Sequence, residues 1–252
     1  MQRLLAELSE FLDPRLGAQT LSVSSHFDSP EDDIATPYWQ LRRDEVPSTQ
    51  DLARSELETI PVVVIAAAQT AGRGRSGAEW VTAPRALAVS IALRADPGEG
   101  RPISLMAGVA ARRALGDIVG LKWPNDLLIG ENKIGGILVE QSDGVAVAGM
   151  GLNLWWPDAP DAIGALLHED PGPDRHVEIG ALWAAELLSI LRAEGWPIDE
   201  YRQACVTLGR DISWEPDGSG RAVDVAESGA LLIDDGSQRS ELHSGVVRHV
   251  RS

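Results

Sequence analysis

Gly72-Arg73-Gly74-Arg75-Ser76-Gly77 is the segment of this chain with the plainest chemical content. Three glycines let backbone N–H groups approach an anion closely, and two arginines add fork-shaped donors suited to phosphate or carboxylate. Each charge-assisted hydrogen bond contributes roughly 1.5–3 kcal/mol, so such a loop can select strongly for a phosphoryl group. A solvated surface loop has the same composition, and the segment alone does not separate the two readings. The six residues also match G-x-G-x-x-G, but that fingerprint needs a helix opening at the glycines. Here Pro84 and the strand-like run Ala86 to Leu93 follow instead, which argues against a dinucleotide turn.

A second segment joins Lys122-Trp123-Pro124-Asn125-Asp126 to Lys133-Ile134-Gly135-Gly136-Ile137-Leu138. Asn125-Asp126 reads as the turn of a hairpin. Gly135 and Gly136 sit where no side chain obstructs a ligand or a neighbouring backbone. Lys133 in an otherwise apolar strand is either a charge in use or an edge-strand guard against aggregation.

The rest of the chain bounds these sites. Lys and Arg number 22 against 38 Asp and Glu, a formal charge of −16, so the bulk surface repels DNA and anionic lipid. Any phosphate site must be a local basic spot on an acidic body. One cysteine, Cys205, excludes an internal disulfide and a Cys-based metal site. The longest apolar run, Ile60 to Ala68, is about half a membrane span, and the start lacks the apolar core of a signal peptide. A cytoplasmic enzyme with no nucleic-acid or membrane partner is expected. No Ser-His-Asp order, metal-ligand cluster or Walker loop is visible.

Three regions are expected to position the site. Residues 1–36 form an N-terminal extension, with a short amphipathic helix near Leu4 to Leu12 and an acidic loop, and without a helix-turn-helix. Residues 37–202 form the main domain. Within it, Tyr38 to Arg43, Val62 to Ala68 and Ala86 to Leu93 read as strands, and Ser48 to Leu57 as a short helix. Pro97 to Pro102 is a loop and Pro102 starts a helix through Leu115. Short strands spaced by two- or three-residue turns from Leu121 to Leu154 imply antiparallel hairpins. A loop over 155–177 precedes a helix with Ile179, Leu182, Trp183, Leu187, Ile190 and Leu191 on one face, closed by Gly195. Residues 203–252 carry four or five short strands and suit a small barrel docked on the main body.

Taken together, QTAGRGRSG-x-x-W, LKWPND, KIGGILVE and GMGLNL, in this order and with Ser48-Thr49 upstream, resemble the biotin protein ligase family. The resemblance covers roughly residues 38–154, with a weaker likeness to the family's C-terminal SH3-like domain from about 203. It implies the form without an N-terminal DNA-binding domain. The implied fold is α+β: a central mixed or antiparallel sheet with helices, like class II synthetases, plus a small SH3-like β-barrel. The implied reaction uses ATP and Mg²⁺ to convert biotin to biotinyl-AMP, then passes biotin to a lysine of a biotin carboxyl carrier protein of a carboxylase. A homodimer is left open. Lipoate or octanoate transfer is the rival enzyme reading, and a non-catalytic biotin-binding module the rival from another class.

The resemblance also assigns residues. Ser48, Thr49, Gln50 and Gln69 are expected around biotin, where oriented hydroxyl and amide groups suit the ureido ring. Ser48 is equally an N-cap, with Asp51 three residues on. Arg73, Gly74, Arg75, Gly136 and Lys133 are expected around the biotin carboxylate and the ATP-derived phosphate. Trp80, Asn125 and Asn153 join Arg73, Arg75 and Lys133 around the nucleotide. Arg73, Arg75 and Lys133 are the catalytic cations, and Asp126 is the candidate to assist the acceptor lysine, its alternative being the turn itself. Gln50 stands where many members have Asn, and Ala78 and Glu79 replace basic residues, so the loop is expected to hold the adenylate less tightly.

Overall fold

The computed structural model describes residues 18–21, 38–77, 80–94, 100–215 and 218–250. The helix expected near Leu4 to Leu12, the acidic loop after it, Ala78, Glu79 and most of the loop before Pro102 lie outside those residues.

The main sheet has eight strands: β1 (Ala18–Leu21), β2 (Tyr38–Val46), β3 (Val62–Gln69), β4 (Arg85–Arg94), β5 (Gly120–Lys122), β6 (Asp126–Ile129), β7 (Asn132–Ser142) and β8 (Val145–Trp155). Their order is β1-β2-β3-β4-β8-β7-β6-β5. Only β2 and β3 run parallel, joined by the helix α1 (Thr49–Ser55); all other neighbours are antiparallel. The sheet is therefore mixed, as expected, although β1 was not foreseen in the N-terminal extension. The glycine–arginine loop leaves β3 through one short 3₁₀ turn and enters antiparallel β4, so no helix opens on it.

Both faces of the middle strands are covered, which is why β3 and β4 read as unbroken apolar runs. On one face Leu87, Val89 and Ile91 pack with α2 (Ile103–Leu115) and α3 (Arg175–Arg192). On the other, Ala92, Val62, Val64 and Val147 pack with Ala53 of α1. Buried Trp183 of α3 donates from its indole nitrogen to the Ala107 carbonyl of α2 at 3.1 Å. Helix α3 starts at Arg175, inside the segment expected to be loop. Its polar first turn, with Arg175 ion-paired to Glu178, carries no apolar periodicity to signal it. Its last turn is capped by Arg101, whose guanidinium donates to the carbonyls of Leu191 at 2.6 Å and Ala193 at 3.1 Å.

The hairpins run as expected, with one correction. The β7–β8 turn is Asp143-Gly144, both at positive φ, the twist that suits a two-residue hairpin. The β5–β6 turn is Trp123-Pro124-Asn125, with a cis Trp123–Pro124 bond, not Asn125-Asp126. Asp126 is already in β6, opposite Lys122. Asn125 fastens this turn: its amide donates to Ile137 O at 3.0 Å, and its carbonyl accepts from Ile137 N–H at 2.8 Å.

After α4 (Ile198–Ala204), five strands form a second antiparallel sheet: β9 (Asp211–Trp214), β10 (Gly218–Val225), β11 (Leu231–Asp234), β12 (Arg239–Leu242) and β13 (Val247–His249). Their order is β12-β11-β10-β9-β13, and β12 and β13 do not pair, so the sheet is open rather than a closed barrel. The composition change near residue 203 falls in the last turn of α4. Ile212, Ala222, Val225, Leu231, Ile233 and Val247 join the same apolar cluster as α2 and the main sheet.

A polar chain ties β13 to the Trp123 turn. Arg210 donates to His249 Nδ1 at 3.3 Å, His249 Nε2 lies 3.2 Å from Thr207 Oγ1, and that oxygen accepts the Trp123 N–H at 3.1 Å. An arginine only donates, so Nδ1 accepts and the ring is neutral with its proton on Nε2. Burial, then the charges of Lys122 and Arg210, push the imidazole down to about 4, with Glu131 opposing. The unfolded histidine titrates near 6.5. The folded value is depressed, so the stabilisation is complete above pH 6.5 and is lost as pH falls toward 4. His249→Gln, an uncharged replacement, should flatten the decline in urea-unfolding free energy across that window; an unchanged slope would remove His249 as its source.

Candidate active site

A row of missing side chains opens the site. On the α1 face of the sheet, Ser90 of β4 pairs with Gly149 of β8, and Gly151 pairs with Ala88 on one side and Gly136 of β7 on the other. Close packing would otherwise fill this surface. A Cβ at Gly149 would meet Ser90 Oγ at 3.0 Å and Gln50 Cγ at 3.2 Å. One at Gly151 would meet the Trp80 ring at 2.9 Å. The indole of Trp80 thus uses the space that Gly151 leaves, and its backbone N–H donates to Gly72 O at 3.2 Å. Over this floor lies a cavity of about 590 Å³, within the usual size for a small-molecule site.

One end is polar and uncharged. Ser48 caps α1 by accepting the Asp51 N–H at 3.3 Å, so its N-cap role holds while it lines the cavity. Gln69 Oε1 accepts both from Thr49 N–H at 2.7 Å and from Thr49 Oγ1 at 3.0 Å. Thr49 Oγ1 also contacts Ser90 Oγ at 2.8 Å. The Gln50 amide donates to Leu138 O at 3.0 Å, tying α1 to β7. These four expected residues converge, and Ser90 joins them. A lone hydroxyl in the apolar run of β4 was the available signal for it.

Charge gathers beyond. Arg73, Arg75, Lys122, Lys133 and Arg248 line the cavity, and Asp126 is the one carboxylate among the described lining residues. On a chain of −16 this is the local basic spot that the composition demands. The cations differ in their partners. Arg73 forms two 2.7 Å bonds to Asp51 and lies 3.5 Å from Glu140. This pairing holds the Asp51 carboxyl below the usual carboxylate range, chiefly through the hydrogen bond from Arg73. Arg75 donates to neutral acceptors, Asn125 Oδ1 at 3.2 Å and Gly245 O at 3.4 Å. Lys133 Nζ is 2.6 Å from Asp126 Oδ1. Arg248 is paired with Glu215 at 3.0 Å.

Lys133 is not an edge-strand guard. Strand β7 lies between β6 and β8, and the Lys133 backbone is bonded at both groups to Ala162 and Gly164 at 2.9 Å. Gly74, Asn125 and Gly136 line the cavity as expected; a Cβ at Gly136 would meet the Lys133 ammonium at 3.6 Å. Asn153 does not line it. Next on the Gly149–Gly151 face of β8, it is buried, with its amide donating to Gly164 O at 2.9 Å and its Oδ1 without a partner. The alternation of β8 puts it on the right face, and the 163–164 segment covers it. Gly245 to Arg248, around β13, close one wall and were not foreseen at all.

Known proteins resemble this chain in sequence and in fold. A model of the biotin/lipoate A/B protein ligase family matches residues 42–154. The chain is 33% identical over 211 residues to a biotin–[acetyl-CoA-carboxylase] ligase of Mycobacterium tuberculosis, covering 75% of this chain and 79% of that protein. A Paracoccus denitrificans ligase of the same description is 38% identical over 110 residues, 39% of this chain and 46% of its own length. Among solved structures, a biotin protein ligase from Aquifex aeolicus in complex with biotin and ATP superposes with a TM-score of 0.72 at 24% identity. It covers 84% of this chain and 99% of its own, and establishes likeness of fold.

The two adjacent glycines of β7 should separate in their effects. A Cβ at Gly135 would lie 2.7 Å from the Gly151 carbonyl, whereas one at Gly136 would make only ordinary contacts from 3.6 Å. Gly135→Ala should cost about 1–3 kcal/mol in urea denaturation. Gly136→Ala should stay within about 0.5 kcal/mol of wild type.

Proposed function

The chain belongs to the biotin/lipoate A/B protein ligase family, among its biotin protein ligases, and on that premise we propose how its residues carry the reaction. It activates biotin with ATP to biotinyl-AMP and transfers biotin to a lysine of a carrier protein. The observation that carries the residue assignment is a single cavity with the Ser48, Thr49 and Gln69 cluster at one end and Arg75 and Lys133 beyond it.

The ureido ring of biotin sits against Ser48, Thr49, Gln69 and Ser90, with Gln50 as the strut behind them. A carboxylate resists attack by an amine and must first gain a leaving group. Its oxygen attacks the α-phosphorus of ATP and pyrophosphate departs. Arg75 and Lys133 meet the negative charge of the phosphoryl oxygens. Arg73 acts through its grip on Asp51, which holds the glycine loop against α1. Trp80 and Asn125 take the nucleotide side; Asn153 reaches it only if the 163–164 segment moves. Mg²⁺ would enter on the phosphates, which suits a site with one carboxylate among its described lining residues. There it would neutralise phosphate charge. No group of three or more acidic, histidine or cysteine side chains fit to hold a metal alone occurs among the described residues.

In the second step the carrier lysine attacks the anhydride carbonyl. With a pKa near 10.4, only about one lysine in 10³ is neutral at pH 7. Asp126 belongs to β6 and not to a turn, so its carboxylate on Lys133 is available as the proton acceptor. The partner is the carrier of a biotin-dependent carboxylase, in the cytoplasm, where ATP and that carrier meet. The 203–252 region is read as an SH3-like unit laid on the 37–202 catalytic domain, with the gap between β12 and β13 at its open side. No helix among the described residues is long and apolar enough to cross a membrane.

Incubation with biotin, ATP, Mg²⁺ and a carrier domain should add one biotinyl group to the carrier, read by intact mass. Lipoate in place of biotin should leave its mass unchanged. Labelling by lipoate alone would shift the reading to the other branch of the family. Asp126→Ala should slow transfer by about 10²-fold and adenylate formation by less than about tenfold, because Lys133 keeps its charge. Equal losses in the two half-reactions would reduce Asp126 to a support for Lys133.

A further inference from the structure

Lys122 and Lys133 are the only lysines in the whole sequence; the rest of its 22 Lys and Arg residues are arginines. Both line the cavity. Lysine is a compact point charge with three donors, and arginine a planar fork, so a lysine kept where arginine serves everywhere else points to use of that compact charge.

The partners of the cavity cations isolate Lys122 further. Arg73 is taken up by Asp51 and Glu140, Lys133 by Asp126 and Arg248 by Glu215. Arg75 meets only neutral oxygens. Lys122 has no carboxylate partner among the described residues; its recorded charge interaction is with His249, a repulsion that helps keep that imidazole neutral. A half-buried ammonium without a counter-charge suits an anionic ligand.

Its place in the sheet says which part of the ligand it faces. The polar end of the cavity is built on α1, β3 and β4. Lys122 ends β5, the edge strand farthest from β3 in the strand order, beside the Val247–Arg248 wall. With biotin at the first end and its carboxylate at Lys133, the chain of phosphates runs onward past Arg75. We propose that Lys122 is a catalytic residue of the adenylation step, binding the outer phosphates of ATP that leave as pyrophosphate.

This rests on the biotin ligase reading. In the step, a carboxylate oxygen forms a bond to the α-phosphorus while the bond from that phosphorus to the bridging oxygen breaks. The electron pair leaves with pyrophosphate, beside the Lys122 ammonium, and no proton changes place. The second half-reaction contains no pyrophosphate, so Lys122 has no part in it.

The test compares the two halves in the full chain. In biotin-dependent ATP–pyrophosphate exchange, Lys122→Met should lose about 10²-fold in rate and raise the KM for pyrophosphate. Transfer from supplied biotinyl-AMP to a carrier domain should stay within about twofold of wild type. Lys122→Arg, which keeps the charge, should recover part of the exchange. Exchange within twofold of wild type in Lys122→Met, or equal losses in exchange and transfer, would overturn the assignment. Should Lys122→Met lose its cooperative melt, calorimetric titration of pyrophosphate into wild type and Lys122→Gln decides instead. Weaker binding by at least tenfold supports the assignment, and equal binding refutes it. Wild-type protein with neither exchange nor carrier labelling would refute the ligase reading itself, and this inference with it.

Discussion

Keeping a hole open in a close-packed sheet is the constraint on which this structure turns. The middle strands are buried on both faces, and packing at that density leaves no room for a ligand unless side chains are withheld. They are withheld at Gly149 and Gly151 along β8 and at Gly136 beside Gly151 on β7, with only the short Ser90 opposite Gly149, on the face that α1 covers. The opposite face of the same strands carries Leu87, Val89, Ile91 and Met150 in the main core. One face supplies cohesion and the other supplies space. The period-two alternation of a strand lets the same residues do both.

Electrostatics completes what the glycines begin. Among the described residues the cavity collects five cations, on a protein of strongly negative charge, and most are neutralised where they stand. Asp51 and Glu140 hold Arg73, and Asp126 holds Lys133. Paired charges tolerate partial burial without a ligand, whereas unpaired ones cost free energy until an anion arrives. The site is thus divided between cations that shape it and cations that wait for substrate. The bonds from Arg75 to Asn125 and Gly245 also couple the glycine loop to the second sheet.

Much of this was legible in the residues. The apolar runs of β3 and β4, the hairpins of β5 to β8 and the apolar face of α3 follow from period and turn chemistry. The ordered motifs located Ser48, Thr49, Gln50, Gln69, Arg73, Arg75, Asp126 and Lys133, and the fold gathers all of them. What escaped depends on distance along the chain. Arg75 meets Gly245 across 170 residues, and nothing local announces that contact. The same holds for the Arg73–Asp51 pair, in which the loop's most prominent cation is already engaged. Asn125-Asp126 looked like a turn because both residues favour turns; Pro124 and the clasp between Asn125 and Ile137 move the bend one step back. Asn153 lies on the expected face of β8, but the 163–164 segment that covers it is too irregular to foresee.

The confinement of both lysines to the cavity has a consequence for the protein's own safety. A mixed anhydride of biotin and AMP acylates any neutral amine that it meets. Outside the cavity the sequence offers it no side-chain amine, only guanidinium groups, which remain protonated at any physiological pH and do not attack. An adenylate that escapes therefore finds a body largely inert to it.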